Sequence, residues 1–408
     1  MRSEQSPSLV LSPSTPTTSE SDAIGPAGMG RPLRVLVFLP RALDVEAWAD
    51  RFARGEVPDA TPYGYHFARE FGCELSFASP TPTWRGVAGL FDKAVKRVLG
   101  FDLRHVWSQR HLLDVQRFDA VWTHTEYEHL AIGLVRKLQA RVCPPVIAQS
   151  IWLIDEWPRW SALRRWAYRR LMSGAEVATF HSPLNETEAR RQGLAQSVAI
   201  VEFGISLDSY PLVRRELPVT LDDSRPIRVL ALGNDRHRDW ATLSQALGGN
   251  PRYELHIGST SVAPALVKSN MTVGPMTQAQ IVAEYAWADC VVVPLRFNQH
   301  VSGLTATLEG VAMGVPVVAA RAGGLDHYFD DHALGYYRIG DADNLRQAVD
   351  ALANEPGLAR RRADAAQQRL TERQFTSRGF AWRHVQLSHR LHHAALPAGE
   401  GNAVCNPA

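Results

Sequence analysis

Short apolar runs alternate with longer segments of helical periodicity through most of the chain. The two halves open alike, with LRVLVFLP from Leu33 and IRVLALGN from Ile227, each after a proline-containing linker. The first half continues with strand-like runs at 74–78, 118–124, 145–150 and 176–182, and the second with RYELHIGS, NMTVGPM, ADCVVVPL and GVPVVAA. This alternation predicts parallel sheets covered on both faces by helices. The predicted fold class is α/β, with two Rossmann-like doubly wound domains facing a cleft.

The composition between these runs indicates the domain limits. Residues 1–31 are rich in Ser, Thr and Pro and predict a disordered leader, and residues 397–408 predict a frayed tail. The stretch 206–226 is polar and broken by proline, which is typical of a linker. We expect an N-terminal domain at 32–210, a C-terminal domain at 211–375, and a helix at 376–396 that returns to the N-terminal domain.

The run SGLTATLEGVAMGVPVV from Ser302 predicts a helix followed by a buried strand. Ser302 is a candidate N-cap, and Gly314 is a candidate helix end. The amides of Ser302 and Gly303 would then lie at a helix N-terminus, where an anion such as a diphosphate binds. Glu309 returns to the same face and could accept hydrogen bonds from ribose hydroxyls. The alternative is a buried α/β unit in which Glu309 only caps backbone groups or forms an ion pair.

Overall composition excludes several classes of protein. With 408 residues and 45% hydrophobic content the chain can form two cores, and its net charge of +2 gives no general case for nucleic acid. The four cysteines show no metal-ligand spacing and fit a reducing cytoplasm. No apolar run approaches the roughly 20 residues of a membrane span. We therefore expect a cytoplasmic protein, either free or at the inner face of the membrane.

The second half resembles the donor-binding domain of GT-B glycosyltransferases, most closely the retaining family 4. The resemblance is carried by VEFGISLDSYPL, ALGNDRHRDWATLSQAL, TVGPMTQAQIVAEYAWADCVVVPL and SGLTATLEGVAMGVPVV, which together cover most of 201–329. It implies transfer of a sugar from a nucleotide-diphosphate sugar, with retention of anomeric configuration and with no cofactor or bound metal.

The resemblance also implies roles for residues that match the family pattern. Glu309 matches the glutamate that holds the ribose. Arg238, with Arg236 as a rival, matches the basic residue that reaches the phosphates, next to the close-approach glycine Gly233. Met276 matches the turn whose backbone meets the base. The loop and helix start beneath the diphosphate match Ser302, Gly303, Leu304 and Thr305.

The chain departs from the family at Val301, where another glutamate usually stands eight positions before Glu309. No carboxylate can act from that position. Asn298, Gln299 or His300 could contact the donor sugar in its place, and the sequence leaves the choice open.

The acceptor side is predicted from strand ends of the first half. His124 and Glu126 follow the run FDAVWT at the carboxyl end of a strand, where either could take a proton from the attacking hydroxyl. Asp155 and Glu156 follow the next strand and are rival candidates. The alternative is that His124 is a loop histidine with its hydrogen bonds made inside the protein, and that the carboxylates only lie on the surface.

Two basic, aromatic stretches of the first half fit an anionic membrane surface, namely 86–107 and 156–172. The first presents an apolar face with Lys93, Lys96 and Arg97 nearby, and the second interleaves tryptophans with arginines. Each could instead pack against the sheet. Binding of RNA is a weaker alternative, since no recognition motif is present.

Together these observations predict a peripheral membrane glycosyltransferase of polysaccharide biosynthesis. Its partners would be a nucleotide-sugar donor and a lipid-linked or saccharide acceptor with a free hydroxyl. The alternatives are a non-catalytic GT-B protein that binds a nucleotide sugar or a partner, and a sugar-nucleotide epimerase.

Overall fold

The computed structural model describes residues 31–139, 142–195, 197–216, 225–355 and 357–395. The predicted leader, except Arg31, and the predicted tail lie outside these residues. Among the residues described, no helix has the length and apolar character needed to cross a bilayer.

The first domain contains a six-stranded parallel sheet in the order β2-β1-β3-β4-β5-β6. Its strands are β1 Leu33–Phe38, β2 Cys73–Phe77, β3 Ala120–Thr123, β4 Val146–Gln149, β5 Val177–Phe180 and β6 Val198–Ile200. The helices around it are α1 Val45–Ala53, α2 Gly86–Leu99, α3 Leu103–Ser108, α4 Glu126–Gln139, α5 Leu153–Glu156, α6 Ala162–Met172 and α7 Pro183–Arg191, with a 3₁₀ segment at Pro62–Phe71.

The second domain repeats this plan in the order β12-β11-β10-β7-β8-β9. Its strands are β7 Ile227–Leu232, β8 Tyr253–Gly258, β9 Met271–Gly274, β10 Cys290–Val293, β11 Val317–Ala320 and β12 Gly335–Tyr337. Its helices are α8 Trp240–Leu247, α9 Gln278–Trp287, α10 Leu304–Ala312, α11 Leu325–Tyr328, α12 Ala342–Asn354 and α13 Leu358–Glu372, and α14 Ser377–Ala395 follows. The predicted α/β class with two doubly wound parallel sheets is confirmed.

The central strands explain why the apolar runs were visible in the sequence. Every residue of β3, β4, β10 and β11 is buried, because helices cover both faces of a doubly wound sheet. Such strands are continuous apolar runs rather than alternating ones. The two strands that the sequence did not predict, β6 and β12, are three-residue strands at sheet edges, too short to produce a pattern.

The two domains meet along the carboxyl ends of their strands. The strand order of the second sheet reverses between β7 and β10, and that of the first between β1 and β3, so each sheet has a crevice there. The Tyr328 hydroxyl donates to the His181 carbonyl at 2.9 Å and accepts from the Phe203 amide at 3.0 Å, which joins α11 to the first domain. Helix α14 packs on the first domain, where Trp122 Nε1 donates to Ser388 Oγ at 2.8 Å.

Candidate functional site

Two loops at the crevice of the second sheet are fastened to each other. One follows β7 and the other follows β10. An isolated antiparallel bridge pairs Arg238 with Leu295, and the Arg296 amide donates to the His237 carbonyl at 2.8 Å. Because the loops leave neighbouring strands at the switch point, side chains from both face the same cleft.

Arg238 lies in the centre of this arrangement. Its side chain passes between two glycines: a Cβ on Gly233 would lie 2.3 Å from its Nε, and one on Gly303 would lie 2.6 Å from its Nη1. Arg238 is 7% exposed, and its Nε and Nη1 have no hydrogen-bond partner among the described residues. Burial lowers the pKa of its guanidinium. A buried cation with unused donors is equipped to bind an anion.

Helix α10 starts beside Arg238, and its start differs from the prediction. Gly303, with φ +84°, is the N-cap, so Ser302 does not cap the helix. The Ser302 amide is also not free, because it donates to Asn298 Oδ1 at 3.0 Å. Thr305 is exposed in the first turn, and Leu304 is buried beneath it. The candidate groups for an anion here are therefore Arg238 and the first turn of α10 rather than the Ser302 amide.

Glu309 lies buried on α10 between two tyrosines. The Tyr285 hydroxyl donates to Glu309 Oε2 at 2.8 Å, and the nearby Tyr210 hydroxyl donates to Gln278 Oε1 at 3.3 Å. Burial raises the pKa of Glu309 to about 7, against the opposing effect of the tyrosine hydroxyls and of the Arg238 charge. Glu309 is thus poised to change its protonation near neutral pH.

His300 joins the two domains. Its Nδ1 lies 2.5 Å from Asp155 Oδ2 of α5, and its Nε2 lies 3.0 Å from Asp235 Oδ2. Asp155 Oδ1 also accepts from the Gln299 amide at 2.8 Å. Burial alone would lower the pKa of His300, but the hydrogen bonds to both carboxylates raise it to about 9.

The three candidates to replace the missing glutamate differ in their surroundings. Asn298 is fully buried, and its side chain holds the loop through the Ser302 amide. The Gln299 backbone contacts Asp155 and Asn185 of the first domain. His300 alone points its side chain at ionisable groups of the cleft.

Arg236 and Met276 are two further residues that the sequence predicted on the donor side. Arg236 is about half exposed and pairs with Glu156 of α5, so Arg238 is the arginine beside the helix start. Met276 follows β9, and a Cβ on Gly258 would lie 2.9 Å from its Sδ. The methionine therefore packs at the carboxyl end of β8.

The acceptor-side candidates are more deeply buried than the sequence suggested. His124 is 1% exposed; its Nδ1 lies 3.0 Å from the Tyr65 hydroxyl, and its ring stacks on Tyr63 at 3.3 Å. Glu126 accepts from the amides of Ile151 and Trp152, at 3.1 and 3.3 Å. Burial lowers the pKa of His124 and raises that of Glu126. Glu126 is thus not a surface carboxylate, and the two candidates that contact the second domain are Asp155, through His300, and Glu156, through Arg236.

The two basic, aromatic stretches differ in exposure. Helix α2 turns its apolar face to solvent, with Val87 84% and Phe91 67% exposed. In the second stretch, Trp157 is buried and Trp160 half-buried, so the expectation of an interfacial row of tryptophans is wrong there. Only Trp166 of that row is exposed. Helix α6 packs on the end of α2 through Tyr168, whose hydroxyl donates to the Leu99 carbonyl at 2.6 Å.

Several residues of the site were missed by the sequence reasoning. In the run NDRHRD, Asp235 precedes Arg236, and His237 lies between Arg236 and Arg238. Only the two arginines of this run were predicted as site residues. Tyr285 lies on α9, far from Glu309 in sequence, and no local pattern connects the two. Tyr63 carries a positive φ of 61°, a backbone feature that the sequence does not reveal.

The comparisons with known proteins agree with this architecture. Residues 229–355 match the family model of glycosyl transferases group 1. Sucrose-phosphate synthase from Thermosynechococcus elongatus superposes with a TM-score of 0.64 at 17% identity, covering 89% of this chain and all of that one. HepE from Anabaena, solved with UDP and glucose, superposes at 0.57 with 14% identity, covering 88% of this chain and 99% of that one.

In sequence, the chain is 30% identical over 136 residues to glycogen synthase from Mycobacterium tuberculosis. The match covers 33% of this chain and 31% of that relative, so it spans about a third of each.

The fold and the crevice geometry define a GT-B protein. Residues 229–355 of its second domain are similar to the glycosyl transferases group 1.

Proposed function

We propose that the protein is a glycosyltransferase that moves a sugar from a nucleotide-diphosphate sugar to a hydroxyl group. The observation that carries this proposal is the buried Arg238, whose unpartnered Nε and Nη1 lie against Gly233 and Gly303 at the start of α10. A diphosphate there would take hydrogen bonds from the guanidinium and from the first-turn amides. The group 1 match to the same domain supports this donor class.

The same groups can assist the chemistry. When the bond between sugar and phosphate breaks, negative charge grows on the leaving diphosphate. A fixed guanidinium in a buried position stabilises that charge without reorganisation. This allows transfer without a metal at the phosphates, and the family 4 resemblance implies retention at the anomeric carbon.

Glu309 would hold the donor's ribose. Its ionised carboxylate accepts hydrogen bonds from both ribose hydroxyls, while Tyr285 fixes its position from the other side. Because HepE was solved with UDP-glucose, uridine diphosphate sugars are the first donors to test.

On the acceptor side, Asp155 and Glu156 both contact the donor loops, and Asp155 is the more buried of the two. It lies at the carboxyl end of the first sheet and contacts His300 across the cleft. Together with His124 and Glu126, it would orient the attacking hydroxyl or take its proton. His124 can serve as a neutral base, because burial lowers its pKa.

The acceptor is proposed to be a glycolipid or polysaccharide intermediate at an anionic membrane surface. Helix α2 and the adjoining part of α6 form an exposed apolar patch with a cationic border, which we name the α2–α6 surface. Lys93, Lys96 and Arg97 are exposed on α2. The apolar members are Trp84, Val87, Leu90, Phe91, Val98, Leu163 and Trp166. Apolar insertion with a cationic border suits an anionic bilayer.

A panel of nucleotide sugars tests the function directly. Donor binding is measured by calorimetry, and turnover by release of the nucleoside diphosphate, for the wild type and Glu309→Ala. We expect saturable binding and turnover in the wild type and a sharp loss of either in Glu309→Ala. Equal binding and activity in both proteins would contradict the assigned site.

Val301 motivates a second candidate, a GT-B protein that binds a nucleotide sugar without turnover. Val301 occupies the position of the family's usual glutamate. Its side chain is aliphatic and 3% exposed, so it offers the sugar no carboxylate. Hydrolysis or transfer of donor by the purified protein would exclude this candidate. Formation of a free epimerised nucleotide sugar without acceptor would instead favour an epimerase.

A further inference from the structure

Asp235, His237 and His300 bring one carboxylate and two imidazoles around a common point beside the anion site. Their candidate ligand atoms all lie within 4.8 Å of one another. Asp235 Oδ2 is 3.0 Å from His300 Nε2, and Asp235 Oδ1 is 3.1 Å from His237 Nδ1. Ligands bonded at about 2.0–2.1 Å around a tetrahedral Zn²⁺ lie roughly 3.3 Å apart. The two contacts use different oxygens of Asp235, so a cation held by one of them would draw the ligand atoms closer together than they now are. A cation could therefore replace the protons that Asp235 now shares with the two rings.

The other nitrogen of His300 has the partner that metal-bound histidines usually have. His300 Nδ1 lies 2.5 Å from Asp155 Oδ2, and the Gln299 amide fixes Asp155 Oδ1. Histidines that bind metals commonly donate their second N–H to a carboxylate, which fixes the tautomer and the ring orientation. Asp155 comes from the first domain, so this orienting contact forms across the cleft.

The backbone around the cluster is held in place. The bridge between Arg238 and Leu295 fastens the loop of Asp235 and His237 to the loop of His300. Val301, next to His300, has φ +56°, an uncommon and strained conformation for a β-branched residue. Such strain persists where the surrounding structure imposes it, and functional sites are its usual location.

Access and charge also fit a cation. The side chains of Asp235 and His237 keep 26% and 13% exposure, so the cluster can be reached from the cleft. The carboxylates of Asp155 and Asp235 lie beside the position proposed for a diphosphate, which they would repel. A divalent cation would offset that repulsion.

We propose that Asp235, His237 and His300 bind one zinc-like divalent cation, with Asp155 as the positioning residue behind His300 and a fourth coordination position open to the cleft. The donor set of two imidazoles and one carboxylate suits Zn²⁺ better than Mg²⁺. All three ligands belong to the second domain, and the site reaches the first domain through the contact of His300 with Asp155. The transfer chemistry stays with Arg238 and α10. The ligand set stands on the protein geometry alone, and only the offset of repulsion from a diphosphate rests on the proposed function.

The test uses the full chain freed of metal by chelator and titrated with ZnSO₄ by calorimetry, with no nucleotide sugar present. Asp235→Asn and His237→Ala remove ligands, and Asp155→Asn removes the positioning carboxylate. The matched control is His256→Ala, because His256 pairs with Glu284 at 2.7 Å on another face of the same domain. Binding of Co²⁺ followed by its visible spectrum reports direct ligation by nitrogen and oxygen.

We expect one equivalent of Zn²⁺ in the wild type and in His256→Ala. Because binding releases protons, the observed binding heat should differ between buffers of different ionisation enthalpy. The two ligand variants should lose at least tenfold in affinity, and Asp155→Asn about 10- to 100-fold. MgCl₂ should give no comparable binding. No stoichiometric Zn²⁺ in the wild type, or equal affinity in all variants, would overturn the proposal. Circular dichroism of each variant shows whether a loss of affinity is a loss of fold.

Discussion

The guanidinium of Arg238 packs against the backbone of Gly303, so closely that a Cβ on Gly303 would lie 2.6 Å from Nη1 and 2.4 Å from Val293 Cγ1. Position 303 has φ +84°, which disfavours any other residue. Gly303, the N-cap of α10, thus also leaves the space that the guanidinium of Arg238 occupies.

Gly303→Ala is therefore expected to displace Arg238 and to reduce donor affinity by at least tenfold. The left-handed backbone adds a loss of stability of about 1–3 kcal/mol. Calorimetry with the donor and urea unfolding measure the two effects. Gly274→Ala is the control, because a Cβ there meets nothing within 4 Å and its φ is not positive. Unchanged donor binding in Gly303→Ala would contradict the close packing.

Arg238→Met should lower the donor affinity without lowering the stability of the donor-free protein. Because the buried guanidinium has unpartnered donors, its removal is expected to leave the donor-free protein as stable as the wild type or more stable. Donor affinity should fall about 10- to 100-fold, since hydrogen bonds to charged groups contribute about 1.5–3 kcal/mol. Thermal unfolding with and without donor measures both. Arg236→Met, which removes a half-exposed side chain paired with Glu156, should change the affinity far less.

The raised pKa of Glu309 predicts that the stability of the folded protein falls as the pH rises. This pKa is raised from the ordinary 4.5 to about 7 by burial, so between these values the folded state binds more protons than the unfolded state. The stability therefore falls as the pH rises from about 5 to 7.5, by at most about 3 kcal/mol from this residue. The difference in unfolding free energy between the wild type and Glu309→Gln should follow this trend.

Donor affinity should have the opposite pH dependence. Because ribose hydroxyls bind best to an ionised carboxylate, affinity is expected to rise as the pH passes through about 7. In Glu309→Gln the same titration should be flat. A rise of equal size in both proteins would assign it to another group.

The hydroxyl of Tyr285 is expected to stabilise the fold through Glu309. Tyr285→Phe leaves the buried carboxylate with one partner fewer, which costs about 1–3 kcal/mol. Urea unfolding at pH 8, where Glu309 is ionised, should show a larger loss than at pH 5. A loss that is the same at both pH values would mean that the hydroxyl acts independently of the carboxylate.

The α2–α6 surface predicts reversible binding to anionic vesicles. Phe91→Glu should abolish sedimentation with phosphatidylglycerol vesicles without changing the melting temperature, because Phe91 is 67% exposed. The control is Val142→Glu, at a residue 80% exposed outside this surface. Binding should weaken with salt, and phosphatidylcholine vesicles should bind less. Equal sedimentation of both variants would contradict the assignment.

Much of the fold could be predicted from the sequence. The buried central strands are continuous apolar runs, and ten of the twelve strands followed from these runs and their spacing. The edge strands β6 and β12 were not predicted, because three residues cannot show a period. The start of α10 was predicted one residue early, because Ser302 has the side chain of a cap, whereas Gly303, with φ +84°, is the N-cap.

The sequence by itself determined the parallel α/β plan and placed Glu309 on the helix that follows Ser302, because these depend on local periodicity. Arg238, with Arg236 as a rival, was singled out only by the family resemblance. Tertiary structure alone decided what those residues contact. The tyrosines around Glu309, the glycines around Arg238, and the contact of His300 with Asp155 join residues distant along the chain. Such contacts arise when parallel strands bring their carboxyl ends to one edge and two domains close over it, which no local pattern records.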